Sequence, residues 1–219
     1  MTILSCRIDR KTGKQVVKEF DYSDVLTFWF GADNSDKSAD YLSQRQKLWF
    51  AKSDNTDKMI EKKFAQTLED VANGKYDSWL DKASSRIAYI ILLDQFPRNI
   101  YRNTPKAFSF DSIDLKAALD GISKKQDLEL PLLQRCFFYL PLEHAEDVSM
   151  QKTCVNKAEQ MLAEAPNNLQ NYLSGYLDYA KAHQRIIDRF GRFPHRNIIL
   201  KRESTKEEVA FLQTPGSSF

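Results

Sequence analysis

Apolar residues recur every three or four positions through most of this chain, and the breaks in that rhythm fall at glycines and prolines. Ile60, Phe64, Leu68 and Val71 share one face until Gly74 interrupts it. Leu80, Ala83, Ile87, Ile90, Ile91 and Asp94 share the next, from a cap at Ser78 to a stop at Pro97. Ser23 to Phe30, closed by Gly31, and Asp40 to Phe50 read as earlier helices. Asp111 to Ile122 reads as a later one, ending near Gly121, and Pro131 to Tyr139 as another, stopped by Pro141. Glu143 to Ala165 and Asn167 to Phe190 follow on either side of Pro166. Ser204-Thr205-Lys206-Glu207 has the spacing of a capping box, with Ser204 as cap, and opens a last helix through Leu212. A period of 3.6 held over so much sequence does not suit a sheet, whose side chains alternate with period two. Seven Gly and seven Pro in 219 residues also leave few turns for a β-fold. Only Ile3 to Phe20 departs, reading as two short strands around Lys11-Thr12-Gly13-Lys14. The expected fold class is all-α, built of antiparallel helix pairs, with residues 1–21 a β-hairpin extension and 22–219 a single helical domain.

Bulk properties exclude several functions. A net charge of +2 gives no global drive toward nucleic acid, which is not expected as a partner. The longest apolar run, Ile87 to Leu93, is too short to span a bilayer, and MTILSCRIDRKTGK lacks the apolar segment of a signal peptide, so no membrane partner is expected. Cys6, Cys136 and Cys154 form no CxxC pair, which argues against a disulfide framework or a zinc knuckle and for a cytoplasmic protein. No HExxH, GxSxG, P-loop or GxGxxG occurs, so neither a metal site nor a cofactor is predicted.

The unusual polar residues gather where the helical rhythm breaks. In ILLDQFPRNIYR, Asp94 lies at the unfavourable negative end of a helix dipole, with Arg98 and Arg102 just beyond the proline to compensate it. In YLPLEHAED, Glu143, Glu146 and Asp147 suit the first turn of a helix opening after Pro141, whereas His144 does not. A histidine among carboxylates is a candidate general acid or base. In DRFGRFPHRN, Gly191 ends a helix and Pro194 keeps the chain extended, which predicts an exposed turn carrying Arg189, Arg192, His195 and Arg196. Residues 183–206 hold seven Lys/Arg against two acids, more positive charge than the whole chain carries net. Cations so concentrated need acidic partners or a bound anion, and Asp94, Glu143 and Glu146 are the expected partners.

FWFG (28–31), LWF (48–50), the three segments above, the continuation IIL (198–200) and STKEEVAFL (204–212) occur here in one order. In this the chain resembles the bacterial domain-of-unknown-function family 924, over about Asp24 to Phe219. The resemblance implies a tetratricopeptide-like superhelical array and no established activity. Lys201 stands where the family pattern carries Gly, so a tight turn at that point does not carry over.

The sequence therefore supports three readings. The first is a cleft for a small anionic molecule or peptide carboxylate, lined by Asp94, Arg98, Arg102, Glu143, Arg189, Arg192 and Arg196, since the planar fork of arginine suits carboxylate and phosphate. The second is a hydrolase or transferase with His144 or His195 as acid/base and Glu146 orienting it. The third is a helical scaffold that binds partner peptides. Turns on a rigid frame favour a site over a scaffold.

Overall fold

The structure, a computed structural model, describes residues 6–8, 15–17, 20–32 and 39–218. Two three-residue strands, β1 (Cys6–Ile8) and β2 (Gln15–Val17), pair antiparallel with Arg7 opposite Val16. The turn expected at Lys11 to Lys14 lies outside the described residues. Everything else of regular structure among them is helical: α1 (Tyr22–Phe30), α2 (Ala39–Phe50), α3 (Asp54–Ala72), α4 (Ala83–Ile100), α5 (Asp111–Ser123), α6 (Leu132–His144), α7 (Val148–Ala163), α8 (Gln170–Phe190) and α9 (Lys206–Leu212), with four short 3-10 turns.

Helix α4 forms the centre because its sequence offers no polar face. Fifteen of its eighteen residues are buried, and it packs against α1, α3, α5 and α6. Around it Phe64, Phe96, Trp29 and Phe137 meet at ring-centroid distances of 4.7 Å (Phe64–Phe96), 5.5 Å (Trp29–Phe96) and 5.7 Å (Trp29–Phe137). Aromatic rings packed at such distances dominate a core of this kind. A second, smaller cluster of Ile186, Ile187 and Phe193, backed by Phe190 and Phe211, carries the C-terminal segment.

Several expected boundaries move, each for a physical reason. Pro97 and Pro141 do not end their helices; both lie inside, and α4 and α6 run on to Ile100 and His144. A proline removes one donor, and so near a C-terminus that loss does not stop the helix, whose last carbonyls are served by side chains. The Arg98 guanidinium donates to the Asp94 carbonyl at 2.5 Å. Gln151 of α7 donates to the carbonyls of Glu143 and Ala145, at 2.6 and 2.8 Å. Helix α4 starts at Ala83 rather than near Ser78, which lies in a 3-10 turn over Asp77–Asp81. Helix α1 is capped by Asp21, which accepts from the Ser23 amide, rather than by Ser23. In α9 the capping box is Thr205 with Glu208, one residue later than expected. Sequence alone offers both pairs, and Ser204 is diverted because its hydroxyl accepts from Asn197 at 3.0 Å.

Two left-handed residues shape the chain between α8 and α9. Gly191 closes α8 with φ 68°, as its residue type demands. Lys201 also adopts a left-handed conformation, φ 55°, so the tight turn forms even without the family's glycine. Arg202 then donates its amide to the Asn197 carbonyl at 2.8 Å.

Gly121 sits where α5 crosses a fully buried arginine. Arg86 donates to the carbonyls of Ala117 and Leu80 and to the Asp120 carboxylate. A Cβ at position 121 would lie 2.6 Å from Arg86 Cδ and from the Phe138 ring. Gly→Ala in an exposed helix stabilises by about 1 kcal/mol. Here Gly121→Ala is expected to cost about 2 kcal/mol in urea unfolding, from overpacking against side chains already pinned. A gain in stability would show that this contact does not constrain the helix.

Candidate functional site

Asp94 comes inside because it occupies a helix that is buried nearly all round, and its carboxylate is completely buried. Burial of a charge without partners costs several kcal/mol, so the partners define the site. Gln95 Nε2 donates to Oδ2 at 2.5 Å, and the ring nitrogen Nδ1 of His144 lies 2.6 Å from Oδ1. The Arg98 guanidinium is 3.4 Å from Oδ1, one helical turn on. His144 reaches this place from the last turn of α6, not from the first turn of the next helix as expected. Glu143 is likewise in that last turn, and Asp147 is the N-cap of α7. The dipole argument for these acids therefore holds for Asp147 alone.

Burial by itself would push the Asp94 carboxyl up, but Arg98, His144 and Gln95 hold it well below the usual carboxylate range. Burial, then Arg98, lowers the His144 imidazole against the opposing pull of Asp94, so the ring is neutral at pH 7. An ionised carboxylate only accepts, so the single ring proton lies on Nδ1 and the Nε2 lone pair is left over. Nε2 makes no hydrogen bond among the described residues, and the side chain is 15 % exposed.

The second arginine arrives from the basic turn. Arg196 is buried rather than exposed, in a 3-10 turn that Pro194 opens. It donates to the His144 carbonyl at 3.1 Å and packs on the rings of Phe193 and Phe108, 4.5 and 4.8 Å from their centroids. One carboxylate, Asp111 at the start of α5, serves both arginines: 3.2 and 3.3 Å from Arg98 and 3.7 Å from Arg196. The Nε of Arg196 is buried without a hydrogen-bond partner. Burial, then the nearby Arg98 cation, pulls the Arg196 guanidinium down to about 10, which still leaves it charged at pH 7.

Behind this cluster lie groups that titrate out of their ordinary range. Burial and then the Asp94 charge push Glu143 up to about 8, so it is protonated at neutral pH. Its neighbours are His183 Nδ1 at 3.4 Å and the Cys154 thiol at 3.9 Å. Burial brings His183 down to about 3, and its Nδ1 lies 2.9 Å from the Tyr179 carbonyl, so no ion pair with Glu143 forms at pH 7. Asp114 is pushed well up by burial and then by Asp94 and Asp111, and both its oxygens are buried without hydrogen bonds.

The structure thus gathers Asp94, Arg98, Glu143, His144 and Arg196. It takes the other site candidates elsewhere. Arg102 makes a two-point contact with Asp57 of α3 at 2.7 Å. Arg189 pairs with Glu207, and Arg192 with Glu208 at 2.6 and 2.8 Å, both on α9. Glu146 does not orient a histidine; it accepts from Arg202 at 2.6 and 2.9 Å and from the Phe193 amide at 2.9 Å. His195, brought down to about 4 by burial and then Arg196, lines a different cleft of about 460 Å3 with Ile198, Arg202 and Leu212. Of the expected acidic partners, Glu146 meets the basic turn through the Phe193 amide rather than through a cation, α9 takes the outer arginines, and only Arg196 reaches the cluster around Asp94.

Asp111, Asp114, Phe108 and Arg202 belong to the cluster or its frame without having been singled out by sequence. Asp114 had a signal: it shares the buried stripe of Ala117, Ala118 and Gly121, where an acid is out of place. Asp111 had none, since an acid opening a helix is ordinary.

Comparison with known proteins gives family and fold without an activity. The family model described as a bacterial protein of unknown function (DUF924) matches residues 25–216. A solved structure of a protein of unknown function from Agrobacterium tumefaciens is 32% identical, with a TM-score of 0.74, covering 88% of this chain and 96% of that one. Among curated proteins none matches.

Glu143 makes the cluster pH-sensitive in a defined direction. Its folded pKa, about 8, lies above its unfolded value, so the folded chain keeps a proton that the unfolded chain has lost. Stability from this group is full below about pH 4.5 and is lost as pH rises toward 8. Between pH 6 and 8 the wild type is expected to lose about 2 kcal/mol more than Glu143→Gln, which mimics the neutral acid. Urea unfolding at both pH values tests this, and identical losses in the two proteins would refute it.

Proposed function

The chain belongs to the bacterial DUF924 family, and from that premise we propose that it binds a small anionic molecule, carboxylate or phosphate, at Arg98 and Arg196. One observation carries the reading: these two arginines are paired loosely, whereas Arg102, Arg192 and Arg202 are paired tightly. Arg102, Arg192 and Arg202 each hold a carboxylate at two points, at 2.6–2.9 Å. Arg98 and Arg196 share the Asp111 carboxylate at 3.2–3.7 Å, and Arg98 has Asp94 besides at 3.4 Å. Asp111 is a partly exposed side chain that stands where a ligand carboxylate would bind better, and Phe108 between the two guanidinium groups gives a ligand an apolar wall. Arginine's fork accepts carboxylate and phosphate oxygens alike.

The 2.6 Å contact of Asp94 with His144 favours a second reading on the same site, a hydrolase or transferase in which the neutral imidazole takes a proton from bound substrate. The successive packing of α3 on α4, α4 on α5, α6 on α7 and α7 on α8 supports antiparallel helix pairs of tetratricopeptide-like kind as the frame. Free, buried thiols at Cys136 and Cys154 support a cytoplasmic setting. No helix among the described residues is long and apolar enough to cross a membrane.

A ligand that binds only the folded chain raises its stability by about 2.7 kcal/mol at a hundredfold excess over Kd. Phosphate, succinate and citrate are to be titrated by thermal shift into the wild type and Asp111→Asn. The wild type is expected to be stabilised by at least one of them, and Asp111→Asn to bind it about tenfold tighter because the competing carboxylate is gone. No shift by any of the three in either protein would sink the anion reading.

A further inference from the structure

We propose that His144 accepts a phosphoryl group at Nε2 from a small phosphoryl donor held by Arg98 and Arg196. The proposal rests on the anion-binding reading and adds a covalent step to it.

Four features point to that atom. Asp94 occupies Nδ1 at 2.6 Å, so the nucleophilic lone pair is on Nε2. The backbone of His144 is fixed: Arg196 holds its own carbonyl at 3.1 Å, and Gln151 holds the carbonyls on either side at 2.6 and 2.8 Å. The ring therefore does not have to be ordered at the moment of attack. The two guanidinium groups reach the same residue, Arg98 through the shared Asp94 carboxylate and Arg196 through the main chain. Finally, His144 reaches the surface, 15 % exposed, where His183 is 5 % exposed.

The step balances without further reagents. The Nε2 lone pair forms a bond to phosphorus as the bond from phosphorus to the donor's leaving atom breaks, and that electron pair leaves with it. With phosphoramidate the leaving group is ammonia, which already carries its three protons. The neutral imidazole becomes a phosphorylated imidazolium that keeps its Nδ1 proton, and the buried Asp94 carboxylate offsets the new positive charge. The phosphoryl oxygens displace the loosely held Asp111 from the arginines. Asp94 is thus a positioning residue and His144 the nucleophile.

Wild-type protein is to be incubated with phosphoramidate at pH 7.5, mapped by mass spectrometry under alkaline conditions and examined by 31P NMR. The expected result is one acid-labile phosphoryl group, on His144 and bonded to Nε2, formed at least about tenfold faster than at His183 or His195. Inorganic phosphate should slow it by competition, and His144→Gln should take up none. Asp94→Asn should slow labelling or shift it to Nδ1; if that variant does not fold, position and competition in the wild type decide. No label on His144, or equal labelling of the three histidines, overturns the proposal. Thermal shift by inorganic phosphate in the same preparation separates the two ideas. Stabilisation without label overturns phosphoryl transfer alone, and neither effect overturns both. Labelling that phosphate does not slow overturns the shared site.

Discussion

A fully buried carboxylate at Asp94 is the constraint on which the rest of the arrangement depends. The central helix has no wet face, so any charge it carries needs its compensation brought to it. Gln95 and Arg98 supply part of that from the same helix. The remainder comes from His144, and this fixes how the end of α6 meets the end of α4. Through the His144 carbonyl the same contact extends to Arg196 and so to the C-terminal segment. Three separate stretches of sequence are thereby tied to one carboxylate, and the imidazole between them is held in one tautomer.

The charged residues around this hub divide by geometry into two kinds. Arg102 with Asp57, Arg192 with Glu208 and Arg202 with Glu146 are two-point contacts that fasten one element to another. Arg192 with Glu208, together with Arg189 on Glu207, discharges the outer arginines of the basic turn on α9, which removes any need for an external anion there. Arg98 and Arg196 differ, because each is held no nearer than 3.2–3.7 Å to a carboxylate, Asp111 or Asp94, and one of them leaves a buried nitrogen unpartnered. Ordinary ion pairs account for the first kind. They do not account for the second, and the asymmetry is what distinguishes a binding site from a staple.

Sequence made the helical frame legible because a 3.6-residue period is a local property. The faces of α3 and α4, the left-handed Gly191 and the last helix could all be read from spacing. Prolines misled, since Pro97 and Pro141 lie within a turn of helix ends, where one lost bond does not stop the helix and side chains serve the last carbonyls. Of the candidate site, Asp94, Arg98, His144 and Arg196 were visible as polar residues gathered at breaks in the rhythm. Their pairing was not, because partner choice depends on which helix ends meet. Asp111 looked like any acid opening a helix, and only the fold brings it between two arginines. In sequence the outer arginines of the basic turn are equivalent to Arg196, and only the docking of α9 sets them apart.

The central claim is that His144 is neutral at pH 7, kept so by burial and Arg98, while Asp94 fixes its proton on Nδ1 and its lone pair on Nε2. Nitrogen-15 NMR of histidine-labelled protein at pH 7 reads both ring nitrogens directly. The signal that disappears in His144→Gln is expected to show a protonated Nδ1 and a bare Nε2. A fully protonated imidazolium at pH 7, or a proton on Nε2 with Nδ1 bare, would contradict it.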